Sequence, residues 1–143
     1  MAKENEIQKD NEIKKEYLKG YRKIYLKIKS LEEQKQSLIE SAQSAKAIKY
    51  SDMPKGSKQT DLSDYIIKLE QLYDEIEDKK QELNNLRLDI EGKITRLEDG
   101  IQSDLLRKRY IEFKKWEQIC LEINYSWMHT HRIHSEALKN IMI

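Results

Sequence analysis

Trp116-Glu-Gln-Ile-Cys-Leu-Glu-Ile-Asn-Tyr-Ser-Trp-Met-His-Thr-His-Arg-Ile-His-Ser-Glu-Ala-Leu138 is the stretch on which the fold of the C-terminal region turns. Trp116, Ile119, Cys120 and Ile123 fall at the three- and four-residue steps of one helical face, and Thr130, Ile133, Ala137, Leu138 and Ile141 form a second such face. Between them, Ile123-Asn-Tyr-Ser126 is too short for anything but a tight turn. Asn124 tolerates the left-handed conformation, and the Ser126 hydroxyl can cap the helix that follows. Cys120 is small enough for two helices to cross closely at mid-helix. Upstream, Leu105, Leu106, Tyr110 and Ile111 line another short helix. Residues 104–143 therefore read as a three-helix unit ending in a helix-turn-helix.

The preceding hundred residues have a different rhythm. Tyr17, Tyr21, Ile24, Ile28, Leu31, Leu38, Ala42 and Ala45 follow a seven-residue repeat with one gap at Lys35, and Leu18 and Tyr25 fill adjacent positions. This predicts one long helix over 1–49, fraying over its first dozen residues, where only Ile7 and Ile13 are apolar. Pro54 and Gly56 break the pattern and predict a loop over 50–60. A second long helix over 61–103, capped by Thr60 or Asp61, carries Leu62, Ile66, Leu69, Tyr73, Ile76, Leu83, Ile90, Ile94, Leu97 and Ile101. Lys80 and Arg87 interrupt that seam, and Leu86 and Leu88 suggest that the buried face shifts there. Each helix alone would leave its stripe in water, so the two either fold into an antiparallel hairpin or join a second copy as a parallel coil, and both are compatible with the pattern. The fold class is all-α, a long hairpin or coiled-coil-like body followed by the helix-turn-helix.

Composition agrees. Charged residues make up 37% and hydrophobic residues 38% of the chain, with one Pro and four Gly, which suits long solvated helices with a narrow apolar stripe better than a sheet. No run of about 18 apolar residues exists, and residues 1–10 are polar and mixed in charge, so no membrane span and no signal peptide are expected. A lone Cys120 forms no internal disulfide and fits a reducing cytoplasm. The net charge of +1 hides an uneven distribution: residues 1–50 carry +4, residues 51–103 carry −5 and residues 104–143 carry +2, the last also holding all three histidines. The opposite signs of the two long arms favour the hairpin. The C-terminal excess is modest for a nucleic-acid binder, whose affinity scales with the phosphates it neutralises.

Trp116 to Leu138 aligns without gaps on the second and third helices of the promoter-reading, fourth region of primary-type bacterial sigma factors, which it resembles. A broader likeness, over roughly residues 50–141, is to the RinA/ArpU-like late transcription regulators of phages and prophages of Gram-positive bacteria. It is carried by Tyr50-Ser-Asp-Met-Pro-Lys-Gly-Ser57, the helix after Asp61, Arg109-Tyr-Ile111, Trp116, Tyr125-Ser126, Arg132-Ile-His134 and Ala137-Leu138. The sigma-like alignment implies that Ser126, Trp127, Met128, His129, His131 and Arg132 form the DNA-binding surface, with Trp127, Met128 and Arg132 on base-reading positions and His129 and His131 near phosphates. The planar fork of Arg132 matches the two acceptors on the groove edge of guanine. Trp127 and Met128 stand where sigma factors usually have Arg and Glu, and they offer apolar contact, as to a thymine methyl, in place of paired hydrogen bonds.

The resemblance implies a phage-type, sequence-specific DNA-binding transcription regulator in the host bacterial cytoplasm, an activator of late genes working with host RNA polymerase. Double-stranded DNA and a second copy, joined through the long helices, are its expected partners. Two other plans share the pattern: a small-terminase-like DNA-packaging component, and a helical protein-interaction module. No cofactor, metal or small-molecule substrate is expected. His129 and His131 point to different sides of a helix, and His131 and His134 have no fixed carboxylate or thiolate nearby in sequence. No glycine-rich phosphate loop, nucleophile elbow or His–Cys pair marks an enzyme.

Overall fold

A computed structural model of the chain describes residues 1–51 and 58–143, and the side chains of residues 1–44 and 62–143 among them. Over these residues the protein is all-α, with five helices and no strand: α1 (Ala2–Ser51), α2 (Lys58–Thr95), α3 (Gly100–Tyr110), α4 (Trp116–Ile123) and α5 (Trp127–Asn140). The loop expected over 50–60, with Pro54 and Gly56, falls outside the described residues except at its ends, where α1 runs to Ser51 and α2 begins at Lys58. α1 is helical from Ala2, through the stretch expected to fray. Ion pairs one turn apart line the long helices, among them Lys14–Asp10 at 3.2 Å, Lys79–Glu82 at 3.0 Å and Lys93–Asp89 at 2.6 Å. Each adds only a few tenths of a kcal/mol, as one-turn pairs with a solvent-exposed carboxylate do. The apolar stripe decides the rest.

That stripe runs differently on α2 from the expected seam. Leu62, Leu69, Ile76, Leu83 and Ile90 lie on it as expected, but the intervening positions are Tyr65, Leu72, Lys79 and Leu86, all at least half-buried. Ile66 and Tyr73 are 50% and 51% exposed, and Lys80 and Arg87 are exposed as well. A heptad repeat accepts its second apolar position three or four residues after the first, and the three-residue choice puts Lys79 and Leu86 on the seam in place of Lys80 and Arg87. The apparent interruptions at Lys80 and Arg87 thus lie on the outer face. The second helix also stops sooner than 103. Leu97 N–H bonds to Ile94 O at 3.0 Å, and Asp99 caps a new helix by accepting from Ile101 N and Gln102 N at 2.9 and 3.1 Å. Ile101 therefore belongs to α3.

The chain divides into two compact units, Met1–Ile24 with Leu83–Ile143, and Tyr25–Glu82. In the first, one core joins Leu18 and Tyr21 of α1, Ile90 and Ile94 of α2, Leu105, Leu106 and Tyr110 of α3, Ile111, Ile119 of α4, and Ala137, Leu138 and Ile141 from α5 onward. Each fully buried aliphatic side chain here contributes about 1.5–3 kcal/mol. The segments of α1 and α2 run antiparallel: Lys93 Nζ donates to Tyr17 Oη at 3.2 Å, and Gly20 faces Leu86. α1 also reaches α5, with Asn11 Nδ2 donating to Ser135 O at 3.4 Å and Lys14 Nζ to Lys139 O at 3.2 Å.

In the second unit the two segments are again antiparallel. Lys80 pairs with Glu32 at 3.4 Å, and the Lys35 ammonium lies 4.6 Å from the centre of the Tyr73 ring. Lys35, the gap in the α1 seam, is filled by its own aliphatic stem with the charge over an aromatic face. Ile28, Leu31 and Ile76 are the buried apolar residues among those described in this unit. No helix among the described residues is long and apolar enough to cross a membrane.

Candidate nucleic-acid interface

The turn between α4 and α5 is built from the chemistry of its own residues. Asn124 is left-handed, at φ 60° and ψ 45°, and its N–H bonds to Cys120 O, which also accepts from Tyr125 N at 3.2 Å. Ser126 is extended, and its hydroxyl oxygen accepts from His129 N at 3.2 Å, capping α5. The opposite end of α4 follows a second left-handed residue, Phe113, at φ 59°. A bulky side chain is strained there, and its ring packs 5.4 Å from that of Tyr21. Lys114 braces this turn against α4 by holding both oxygens of Glu122, at 2.7 and 2.9 Å. That bond raises the pKa of Lys114 and lowers that of Glu122.

α5 buries Thr130, His134, Ala137 and Leu138 and leaves Trp127, Met128, His129 and Arg132 of its first two turns exposed. Trp127 is 51% exposed and Met128 74% exposed, and His129 and Arg132 are exposed beside them. Arg132 makes no hydrogen bond or ion pair among the described residues. The first turn of α5 holds no acidic residue, so nothing on it opposes an anion near the helix N-terminus.

His131 has a different surrounding from its two exposed neighbours in sequence, His129 and Arg132. It is half-buried, with ring centres 4.4 Å from Trp116 and 4.5 Å from Trp127, and its Nε2 is buried without a hydrogen-bond partner. Burial, then the charges of Arg109 and Lys15, lower its pKa. The stack continues inward: Trp116 meets His134 edge-on at 4.7 Å, and His134 Nε2 shares a 2.7 Å hydrogen bond with Tyr110 Oη. Arg109 caps the stack, with its guanidinium 4.8 Å from the centre of Trp116 and Nη1 donating to Lys114 O at 3.0 Å. Burial first, then Lys15, His131, Arg109 and Lys19, push the His134 pKa down to about 3, and burial raises that of Tyr110.

Of the six residues singled out in sequence, five share one exposed surface or its cap: Ser126, Trp127, Met128, His129 and Arg132. His131 supports it from beneath by fixing Trp127. One residue that sequence reasoning passed over also borders the surface: Tyr125 stacks on His129 at 4.6 Å, and Leu121 is exposed on α4. The four-residue step from Trp127 to His131 places those rings one helical turn apart and is the signal that marks their stack. Among the described residues no group of three or more His, Cys, Asp and Glu side chains is placed to hold a metal.

A family model described as a protein of unknown function, DUF1492, matches residues 41–142. No curated protein and no solved structure matches the chain.

Proposed function

The chain belongs to this DUF1492 family, and from the exposed surface of α5 we propose that it is a phage-type, sequence-specific DNA-binding transcription regulator that reads the major groove with the first turns of that helix. The observation that carries the proposal is the exposed, unpaired Arg132 on a helix capped by Ser126. Its guanidinium is ready to make two parallel hydrogen bonds to a guanine edge without first giving up a partner in the protein. Trp127 and Met128 supply apolar contact with bases, and His129 and the α5 N-terminus lie toward phosphates. His131 is a positioning residue in this reading: it holds the Trp127 indole against Trp116. The likeness of Trp116 to Leu138 to sigma-type promoter readers, and of residues 50–141 to late regulators, supports activation of late genes together with host RNA polymerase.

The test is a binding assay with DNA flanking the chain's own gene, across a salt series, against unrelated duplex. Preference for the flanking DNA is expected, and Arg132→Ala should weaken it by roughly 5- to 100-fold, the range of one lost base-reading pair. Equal affinity for every duplex, or undiminished binding by the variant, overturns the proposal. The exposed Leu121, Tyr125, Trp127 and Met128 favour a second reading, a protein-docking face. That reading predicts no DNA binding even at low salt.

A further inference from the structure

The indole of Trp127 is exposed and yet held in place. It meets the His131 imidazole at 4.5 Å, and that ring meets Trp116 at 4.4 Å. Trp116 is held in turn by the Arg109 guanidinium at 4.8 Å and by His134, edge-on, at 4.7 Å. Side chains from α3, α4 and α5 thus back one surface ring. The contact between Trp127 and His131 is tilted at 50°, so the imidazole braces the indole without lying flat on it, and 51% of Trp127 stays open. A ring braced in this way has already given up most of its rotamer freedom, and a flat partner that stacks on it gains contact at little ordering cost.

The surroundings of the ring define that partner. The first turn of α5 carries no acid, and the one carboxylate of the helix, Glu136, comes nine residues after Trp127. The helix N-terminus and the unpaired Arg132, about a turn and a half along, favour an anion instead. A flat ring carried on an anionic chain is a nucleotide. In a paired duplex the faces of the bases are covered by their neighbours, and the grooves present only base edges. The indole face therefore finds its match only where a base is unpaired.

We infer that Trp127 is a stacking platform for an unpaired nucleobase, and that α5 takes DNA with an opened step in preference to fully paired duplex. The inference rests on the reading of α5 as a nucleic-acid surface and adds the state of the DNA that this surface selects. The modest charge of residues 104–143, +2, accords with it, because stacking supplies affinity that does not scale with the phosphates neutralised. Stacking also tolerates any base, since each has a π-face, so it adds to what Arg132 reads and does not replace it.

Three duplexes that carry the same stretch of the DNA flanking the chain's own gene test it: one fully paired, one with an extra unpaired adenine at its centre, and one with an abasic nucleotide in place of that adenine. The abasic duplex keeps the bend and flexibility of the bulge and lacks only the base. The full chain should bind the adenine-bulged duplex about 5- to 150-fold more tightly than either of the others, the range of one stacked base. At saturation the adenine should also quench tryptophan emission beyond what the abasic duplex does, a measurement on the wild-type chain that stands even if a variant misfolds. Trp127→Leu should bind the adenine-bulged and abasic duplexes alike. Binding to the paired duplex with no gain from the adenine overturns the inference and leaves the reading of α5 in place. A gain that the abasic duplex shares, a gain that survives Trp127→Leu, or equal quenching by the two bulged duplexes overturns it in the same way. Absence of binding to all three at low salt overturns the inference and that reading together.

Discussion

His134 sits where α3, α4 and α5 meet, and it is neutral because its surroundings leave no water for a charge. Its pKa of about 3 in the folded chain lies below the 6.5 of an ordinary imidazole, so the unfolded chain binds a proton over a range where the folded one does not. Stability from this residue is fully present above pH 6.5 and is lost as pH falls from there toward 3, by about 1.4 kcal/mol per pH unit. His134→Gln keeps a hydrogen-bonding group for Tyr110 and does not titrate. Urea midpoints of the two proteins at pH 7.5, 6, 5 and about 4 should therefore converge, because acid costs the wild type this imidazole contribution in addition to what both lose at paired carboxylates such as Glu122. Parallel curves would remove the buried imidazole as the cause. The turn residues were open to sequence reasoning in a way His134 was not, because turn chemistry is local. Asn124 and Ser126 need only their own backbone preferences to take the left-handed and capping roles. The depth of His134 depends on Tyr110, 24 positions upstream, and on Trp116, and no local rule joins them.

Among the elements, the existence and order of the helices were legible from periodicity, while the register of α2 and its end were not. Ile66 and Tyr65 are equally good partners for Leu62 in a heptad, and which one turns inward depends on the helix opposite. The end of α2 did carry a local signal, Asp99 beside Gly100, which a repeat running on through Ile101 overrode. The glycines inside the long helices give a test of how much stability is intrinsic to an element. Gly92 is exposed in α2, and a Cβ added there would meet nothing within 4 Å. Replacing it with Ala restricts the unfolded chain without any clash, so Gly92→Ala should stabilise by about 0.5–1 kcal/mol. A thermal melt of the two proteins side by side measures it. An unchanged or lowered midpoint would mean that the helix backbone at this position is held by something other than its own propensity.

At the scale of the whole molecule, the sequence-based boundary at residue 104 set the helix-turn-helix apart from the long helices, whereas its core is closed by Leu18 and Tyr21 from α1. Periodicity reports which face of a helix is apolar and says nothing of which distant segment covers it, so a contact between α1 and α5, more than a hundred residues apart, had no mark in the pattern. The consequence is measurable because both tryptophans, Trp116 and Trp127, lie in the helix-turn-helix. Leu18→Ala removes a fully buried side chain from α1 and should cost about 2–5 kcal/mol through lost burial and the cavity left behind. If one core unfolds as one unit, tryptophan fluorescence and circular dichroism will shift to the same lower urea midpoint, although neither tryptophan lies near residue 18 in sequence. A helix-turn-helix that stands alone would keep its fluorescence midpoint while the helical signal moved. Coincident transitions would mean that the α5 surface owes its shape to the first twenty-four residues of the chain, so substitutions in α1 would alter ligand binding at α5 without touching any residue of that surface.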